Sequence, residues 1–239
     1  MLSHYGIVEA AYQPLWDKLG QAYFLRHEIQ EIAWHSRLLL THVDTQKPIV
    51  RARLSSAGDG IQVMIYTRDR DDLFARICGF FERLSYTILE ARVHTSQHCY
   101  ALDSFIVTCQ SDSSLTYRDV LSYIEYELTK KLLTSSPLDI PLQGRLSRQV
   151  KHMPIKTEVS IKADGGNDNH VLEIIAGDRP GLLSRVAQIF LKHEVHLHTA
   201  KINTLGNRAE DIFVISAKSG LRLNADTVNA VEHDLLLQF

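Results

Sequence analysis

The sequence predicts an α+β chain: two ferredoxin-like units, each an antiparallel sheet covered by helices in the permuted order ββαββα, behind a helical arm. Two observations carry this. Asp69-Arg70-Asp71-Asp72-Leu73-Phe74-Ala75-Arg76-Ile77 returns as Asp178-Arg179-Pro180-Gly181-Leu182-Leu183-Ser184-Arg185-Val186, a shift of 109 positions. Downstream, Phe81, Ala91 and Thr95 meet Phe190, Ala200 and Thr204, and after a one-residue deletion Asp103 and Phe105 meet Asp211 and Phe213. A repeat of this length is the mark of a duplicated small domain. The second observation is that each copy passes through the same succession of strand-like and helix-like apolar patterns.

Residues 1–42 read as helical. Tyr5, Val8, Tyr12, Leu15 and Leu19 recur at three and four positions, and Ile29, Ala33, Leu38 and Leu39 give a second, looser apolar face. Pro14 is expected to break or kink the first helix. Two helices with no partner layer make a poor core, so this piece is expected to lean on another domain. The predicted divisions are 1–47 for the arm, 48–133 for the first unit, 134–156 for a linker rich in proline and glycine, and 157–239 for the second unit.

Each unit opens on a hairpin signal. In the first it is Pro48 to Leu54, a Ser/Gly/Asp turn, then Ile61 to Tyr66; in the second it is Thr157 to Ile161, the Gly165-Gly166-Asn167-Asp168-Asn169 turn, then His170 to Ile175. A one-sided helix follows, through Leu73, Phe74, Ile77, Phe81 and Leu84 in one copy and Leu182, Leu183, Val186, Ile189 and Phe190 in the other. Two strands come next, Thr87 to Thr95 with Tyr100 to Thr108, and Val195 to Thr204 with Ala209 to Ala217. A closing helix runs through Leu121, Ile124, Leu128 and Leu132, and through Val228, Val231 and Leu235. A split βαβ sandwich ends on an edge strand, and Phe239 leaves no room for one. The leading hairpin strand of each copy is therefore expected to take that edge.

Formal charge is −2 with twelve neutral histidines, so no overall field attracts nucleic acid or an anionic membrane. No apolar stretch approaches the ~20 residues of a membrane helix, and the start lacks a secretory pattern, so a cytoplasmic location is expected. Cys78, Cys99 and Cys109 have neither an even count nor Cys-x-x-Cys spacing, and are read as buried or half-buried free thiols. Arg145, Arg148, Lys151 and Lys156 of the linker are read as a solvated face.

The sharpest candidate site is Asp178-Arg179-Pro180-Gly181-Leu182, between a strand and the first helix of the second copy. Pro180 suits a first helical turn, and Gly181 removes a side chain so that a ligand can approach the backbone. Free N–H groups and the positive end of the helix dipole make such a corner fit for a carboxylate. Asn203, on the neighbouring strand, is expected to offer its amide to an amino-acid ligand. The alternative reading makes Asp178 a helix cap, Pro-Gly a plain turn and Asn203 an ordinary strand-end residue. In the first copy Asp69, Arg70, Asp72, Leu73 and His94 are the weaker counterparts. There Asp71 and Asp72 replace the Pro-Gly pair and gather three carboxylates at the helix start, which suits an ammonium better than an anion. The second-copy loop is expected to be the better anion holder. Asp103 with Arg92, and Asp211 with Lys201, are read as cross-strand ion pairs. The scattered histidines give no metal pattern, and no P-loop, Gly-x-Ser-x-Gly, His-Glu-x-x-His or paired-aspartate metal motif occurs, so the chain carries no complete active site and no cofactor of its own.

The Asp-Arg-Pro-Gly-Leu-Leu turn, its helix and the Ala209-Glu210-Asp211-Ile212-Phe213 strand resemble the ACT domain, a ligand-binding module of amino-acid-responsive enzymes. The arm (Tyr23-Phe24-Leu25-Arg26-His27, then Ile32-Ala33-Trp34-His35 and Leu38-Leu39) followed by two such modules resembles the C-terminal part of the bacterial bifunctional uridylyltransferase/uridylyl-removing family, which modifies the nitrogen-signalling protein PII. The resemblance covers essentially the whole chain. It implies a regulatory region behind the end of a hydrolase domain, with nucleotidyltransferase and phosphodiesterase activities, and a divalent metal such as Mg, in catalytic domains absent here. It implies glutamine as the ligand, with Asp178, Arg179, Gly181 and Leu182 on the family's second-module loop, whereas the first loop departs from the ACT pattern. The two modules are expected to pack with their sheets side by side and to hold glutamine at the seam. Two other readings stand beside this one: a docking module for PII that needs no small ligand, and an RNA-binding module of similar topology. The second requires stacked aromatics and a basic sheet face where this chain has Asp103 and Asp211.

Overall fold

A computed structural model describes residues 9–55, 60–109, 117–134, 136–142, 155–165 and 168–238. The arm is α1 (Glu9–Leu19), α2 (Gln21–Arg26) and α3 (Ile29–Leu39). The first module is β1 (Ile49–Leu54), β2 (Ile61–Arg68), α4 (Leu73–Arg83), β3 (Tyr86–Arg92), β4 (Tyr100–Cys109) and α5 (Tyr117–Leu133). The second is β5 (Glu158–Ala163), β6 (His170–Gly177), α6 (Leu182–Lys192), β7 (Val195–Leu205), β8 (Arg208–Ala217) and α7 (Ala225–Gln238). Much of the linker, including Arg145, Arg148 and Lys151, lies outside the described residues, as do Tyr5, Val8 and residues 56–59 of the first hairpin's turn.

All eight strands form one antiparallel sheet in the order β1-β2-β4-β3-β7-β8-β6-β5. Each half has its leading strand at the outer edge, the permutation that was expected. The halves join where β3 meets β7, with Glu90 opposite Asn203, Ala91 opposite Ile202 and Arg92 opposite Lys201. The duplication extends to backbone detail: both first helices end on a non-glycine residue with left-handed φ, Ser85 at 58° and Glu194 at 53°. The outer edge at β1 is blunted, because the Ala52 N–H donates to Glu125 Oε1 of α5 at 2.8 Å.

One face of this sheet carries the four module helices. Val63 and Ile65 of β2, Phe105 of β4, and Leu172, Ile174, Phe213 and Ile215 of the second half bury against Ile77, Phe81, Ile124, Leu128, Val186, Phe190, Val231 and Leu235. α4 and α6 also pack on each other across the seam, where Phe74 meets Phe213 edge-on at 6.4 Å. Strand alternation sends Met64, Tyr66, Tyr100 and Leu102 to the opposite face of the first half. There they form a second core with Leu15, Leu19, Tyr23 and Leu39 of the arm.

The arm thus leans on the first module, and both faces of β2 are covered. That explains why Ile61 to Tyr66 reads as a near-continuous apolar run rather than an alternating one. The corresponding positions of the second half, Glu173 for Met64 and Glu210 for Leu102, are polar, and no part of the described chain packs there. Aromatic residues on this face serve the arm, which removes the open stacking platform an RNA-binding reading needs. Of the break or kink expected at Pro14, the break does not occur: α1 runs through Pro14.

The arm–sheet contact has a polar centre. Glu31, 3% exposed, accepts from Gln62 Nε2 at 2.9 Å, from Arg92 Nη1 at 3.2 Å and from the Ser104 hydroxyl. His35, fully buried, meets the Tyr23 hydroxyl at 2.8 Å through Nδ1, and His94 Nε2 donates to the Leu19 carbonyl at 2.8 Å. Among the described residues no group of three or more His, Cys, Asp or Glu side chains could hold a metal. Nor does any described helix have the length and apolarity to cross a membrane. Of the thiols, Cys78 is buried and Cys109 half-buried, but Cys99 is exposed, since the β3–β4 turn carries it outward.

Candidate functional site at the module seam

The two repeat loops adopt different turns for a reason visible in their residues. Leu182 N–H donates to the Arg179 carbonyl at 3.3 Å, and Gly181 has φ 82° and ψ 4°. With Pro180 at the preceding position this is a type II turn, which demands positive φ at its third residue. In the first copy Leu73 N–H donates to the Arg70 carbonyl at 3.0 Å, while Asp72 has φ −91° and ψ 3°, a type I turn. The two types differ by a flip of the central peptide, so the Gly181 and Asp72 amides point to opposite sides. Pro180 therefore lies in the turn ahead of Gly181, the N-cap of α6, rather than inside the first helical turn.

The second loop borders a cavity of about 680 Å³ at the seam between modules. Asp178 to Ser184 line one wall, Thr87 and Ile88 of β3 with Cys78 and Glu82 of α4 line another, and Ile202, Thr204 and Asp211 form part of the sheet side. Arg185 N–H makes the first helical bond of α6, to the Gly181 carbonyl at 3.0 Å, so amides ahead of it lie outside the helical ladder. The loop is anchored by Asp178 N–H donating to Asn207 O at 2.8 Å. Burial raises the Asp178 carboxyl, against a hydrogen bond from the Arg179 backbone N–H. Burial also lifts Asp211 to about 7, against a hydrogen bond from the Asn203 N–H and with the negative charge of Asp178 pushing the same way.

What approaches Gly181 is the chain itself. A Cβ there would stand 2.7 Å from the Leu142 carbonyl oxygen and 2.9 Å from Glu82 Oε1. Leu142 belongs to a strap, residues 136–142, that crosses the ends of α4 and α6. Arg185 Nη2 donates to the Leu142 carbonyl at 2.6 Å, Glu82 accepts the Leu142 N–H, and Gln188 Nε2 donates to the Asp139 carbonyl at 3.0 Å. Asp139 also pairs with Lys131 and, at 3.2 Å, with Arg83.

The first-copy loop faces a counterpart cavity of about 30 Å³, bordered by Asp69, Arg70, Asp71 and Leu73 on one side and by Phe190, His196 and Leu197 on the other. Its acids are already engaged. Asp72 pairs with Arg70 at 3.1 Å and with Arg76 at 2.7 Å, Asp71 with Lys218 of the second module at 2.6 Å, and Asp69 accepts from the Thr95 hydroxyl at 2.8 Å. The three carboxylates expected to await an ammonium are spent on internal partners.

The structure gathers Asp178, Arg179, Pro180, Gly181 and Leu182 around the larger cavity. Asn203 is not with them. Its neighbour Ile202 faces the helices, so Asn203 projects from the other side of β7, and only its backbone reaches inward, donating to Asp211 Oδ1 at 3.3 Å. His94 occupies the matching position in the first copy and turns to the arm, not the loop. The expected cross-strand pairs are absent for the same reason of parity. Lys201 faces Ile212, and Arg92 pairs with Glu31 and Glu90, while Asp103 and Asp211 point into the helical side, 1% exposed each. Ser184, which nothing in the sequence singled out, and Asp211, expected to pair with Lys201, also line the cavity.

The divalent metal implied for the family's catalytic domains finds no fitting donor set among the described residues. Residues 1–38 match the family described as uridylyltransferase GlnD fifth domain. Over 236 residues the chain is 48% identical to the bifunctional uridylyltransferase/uridylyl-removing enzyme of Aromatoleum aromaticum, covering 99% of this chain and 27% of that protein. The enzyme of the same name from Chromobacterium violaceum is 45% identical over 233 residues, covering 95% of this chain and 27% of its own length. That of Thiobacillus denitrificans is 46% identical over 235 residues, covering 98% and 27%. The chain spans about a quarter of the length of these relatives, each of which aligns to it across arm and both modules. It belongs to the bifunctional uridylyltransferase/uridylyl-removing enzyme family, of which it is the C-terminal part.

Proposed function

We propose that this chain is the amino-acid-sensing regulatory region of such an enzyme, that its ligand is glutamine, and that ligand occupancy controls modification of PII by catalytic domains outside this chain. The observation that carries the reading is the cavity of about 680 Å³ at the seam of the two modules, bordered by the Asp178 to Leu182 turn and the start of α6. Its size falls within the range of small-molecule sites, and its walls come from two modules that meet through β3 and β7, the strap and the α4–α6 contact, among other contacts. A ligand there regulates only by favouring one arrangement of the modules, and a tenfold preference shifts that balance by about 1.4 kcal/mol. The arm, docked on the first module, would carry the change onward.

The contrast between the two cavities leads to one ligand per chain, in the second-copy site. Calorimetric titration of the 239-residue chain with L-glutamine is expected to saturate at one equivalent. In a thermal-shift screen of the twenty amino acids, glutamine at a hundred times its dissociation constant should stabilise by about 2.7 kcal/mol. Absence of saturable heat with glutamine, or an equal response to all amino acids, would overturn the assignment.

A further inference from the structure

Among the described residues that line the seam cavity, Asp211 combines near-complete burial, a carboxyl group and an unused oxygen. It is 1% exposed, its Oδ1 takes the Asn203 N–H, and its Oδ2 has no hydrogen-bond partner among the described residues. Ser184, in the first turn of α6 and 3% exposed, has a hydroxyl with no partner either. Both line the same cavity. Buried polar atoms in native proteins are almost always satisfied, and two orphans bordering one space large enough for a small molecule point to a shared partner. The feature is confined to the second copy. The position of Ser184 is held by Ala75 in the first, and Asp103, the counterpart of Asp211, borders a cavity of about 30 Å³.

The charges around the cavity choose the ligand's polarity. Its lining brings three carboxylates, Glu82, Asp178 and Asp211, with the thiol of Cys78, against the single guanidinium of Arg179. Resting on the amino-acid-sensing reading, we propose that Asp211, aided by Asp178, is the receptor for the α-ammonium of the ligand, and that the Ser184 hydroxyl and the amides ahead of the α6 ladder take its carboxylate. The site is thereby selective for an amino acid over the same molecule without its amine. Burial holds the Asp211 carboxyl at about 7, with the Asn203 N–H opposing and Asp178 reinforcing. An ammonium placed against it draws that value down, so binding near pH 7 expels part of a proton.

The test uses L-glutamine and 5-amino-5-oxopentanoic acid, which is glutamine lacking the α-amine, titrated into the full chain and its Asp211→Asn and Ser184→Ala variants. Asp211→Asn should weaken glutamine about 10- to 100-fold, the range for a hydrogen bond to a charged group, yet leave the deaminated compound within about threefold. It should also abolish the proton release measured by comparing buffers of different ionisation enthalpy. Ser184→Ala should weaken both compounds alike. Asp178→Asn, on the half-buried loop, provides a second variant with the same selective pattern should Asp211→Asn disturb folding. Glutamine affinity unchanged in both aspartate variants overturns the ammonium receptor while leaving the sensor reading intact. Absence of glutamine binding by the unaltered chain overturns both.

Discussion

Lowering the pH from 7 to 4 is expected to release the helical arm before the eight-stranded sheet melts. Three histidines meet at the arm–module contact, and burial depresses all of them. His35 lies well below its ordinary value, His27 is lowered against the pull of Glu31, and His94 falls to about 4 against its bond to the Leu19 carbonyl. A depressed histidine stabilises fully above its unfolded value near 6.5, and that contribution is lost as pH falls toward the folded value. For His94 alone the loss by pH 4 is about 3 kcal/mol, and the other two add to it. Asp103 and Asp211 act with the opposite sign. Burial raises both carboxyls, so the cost they impose at neutral pH lessens as they protonate. Acid therefore weakens the arm contact while relieving the sheet interior.

The reporter is built in. The chain's two tryptophans, Trp16 and Trp34, both lie in the arm, the first donating to Ser36 Oγ at 2.8 Å and the second beneath the Arg53 guanidinium at 4.0 Å. Tryptophan emission should shift to the red with a midpoint between pH 6.5 and 4, at a pH where far-ultraviolet circular dichroism still shows the sheet. His94→Gln, which keeps a donor for Leu19 and cannot titrate, should lower that midpoint. Coincidence of the two transitions, or an unmoved midpoint in the variant, would show that the histidines do not govern docking.

The parts of this molecule that repeat were legible in its sequence, and the parts that depend on parity or on distant contacts were not. The shift between the copies located every paired element, and β1 and β5 stand at the expected edges. Asn203 and His94 face away from the loops because the side a strand residue faces changes with every position, and the strands that lead to them are irregular, β7 between Leu197 and Thr199 and β3 between Ile88 and Glu90. The signal for Asp211 was present: Ala209, Phe213 and Ile215 at even spacing mark the buried face, and Asp211 stands in their row. A carboxylate in an apolar row is a buried group rather than half of a surface ion pair. The Leu142 strap has no periodicity, and its placement over Gly181 follows only from the tertiary packing of α4 and α6.

Replacing Gly181 with alanine is expected to cost about 3 kcal/mol, more than the loss of a turn glycine alone. A left-handed φ of 82° costs a residue with a Cβ about 1–2 kcal/mol. The remainder arises because the new methyl would lie 2.7 Å from a backbone oxygen, that of Leu142, which Arg185 and the Glu82-bound N–H hold from both sides. Gly206 separates the two contributions. Its φ is 63° and nothing lies within 4 Å of a Cβ there, so Gly206→Ala should lower the denaturation free energy by about 1 kcal/mol, from backbone strain only. The same logic shows why the first loop does without glycine. Asp72 at φ −91° is unstrained, and its carboxylate is fastened by Arg70 and Arg76, so Asp72→Gly would lose ion pairs without opening a type II turn. If Gly181→Ala and Gly206→Ala prove equal in denaturant midpoint, the strap does not press on the loop, and the glycine serves the turn alone.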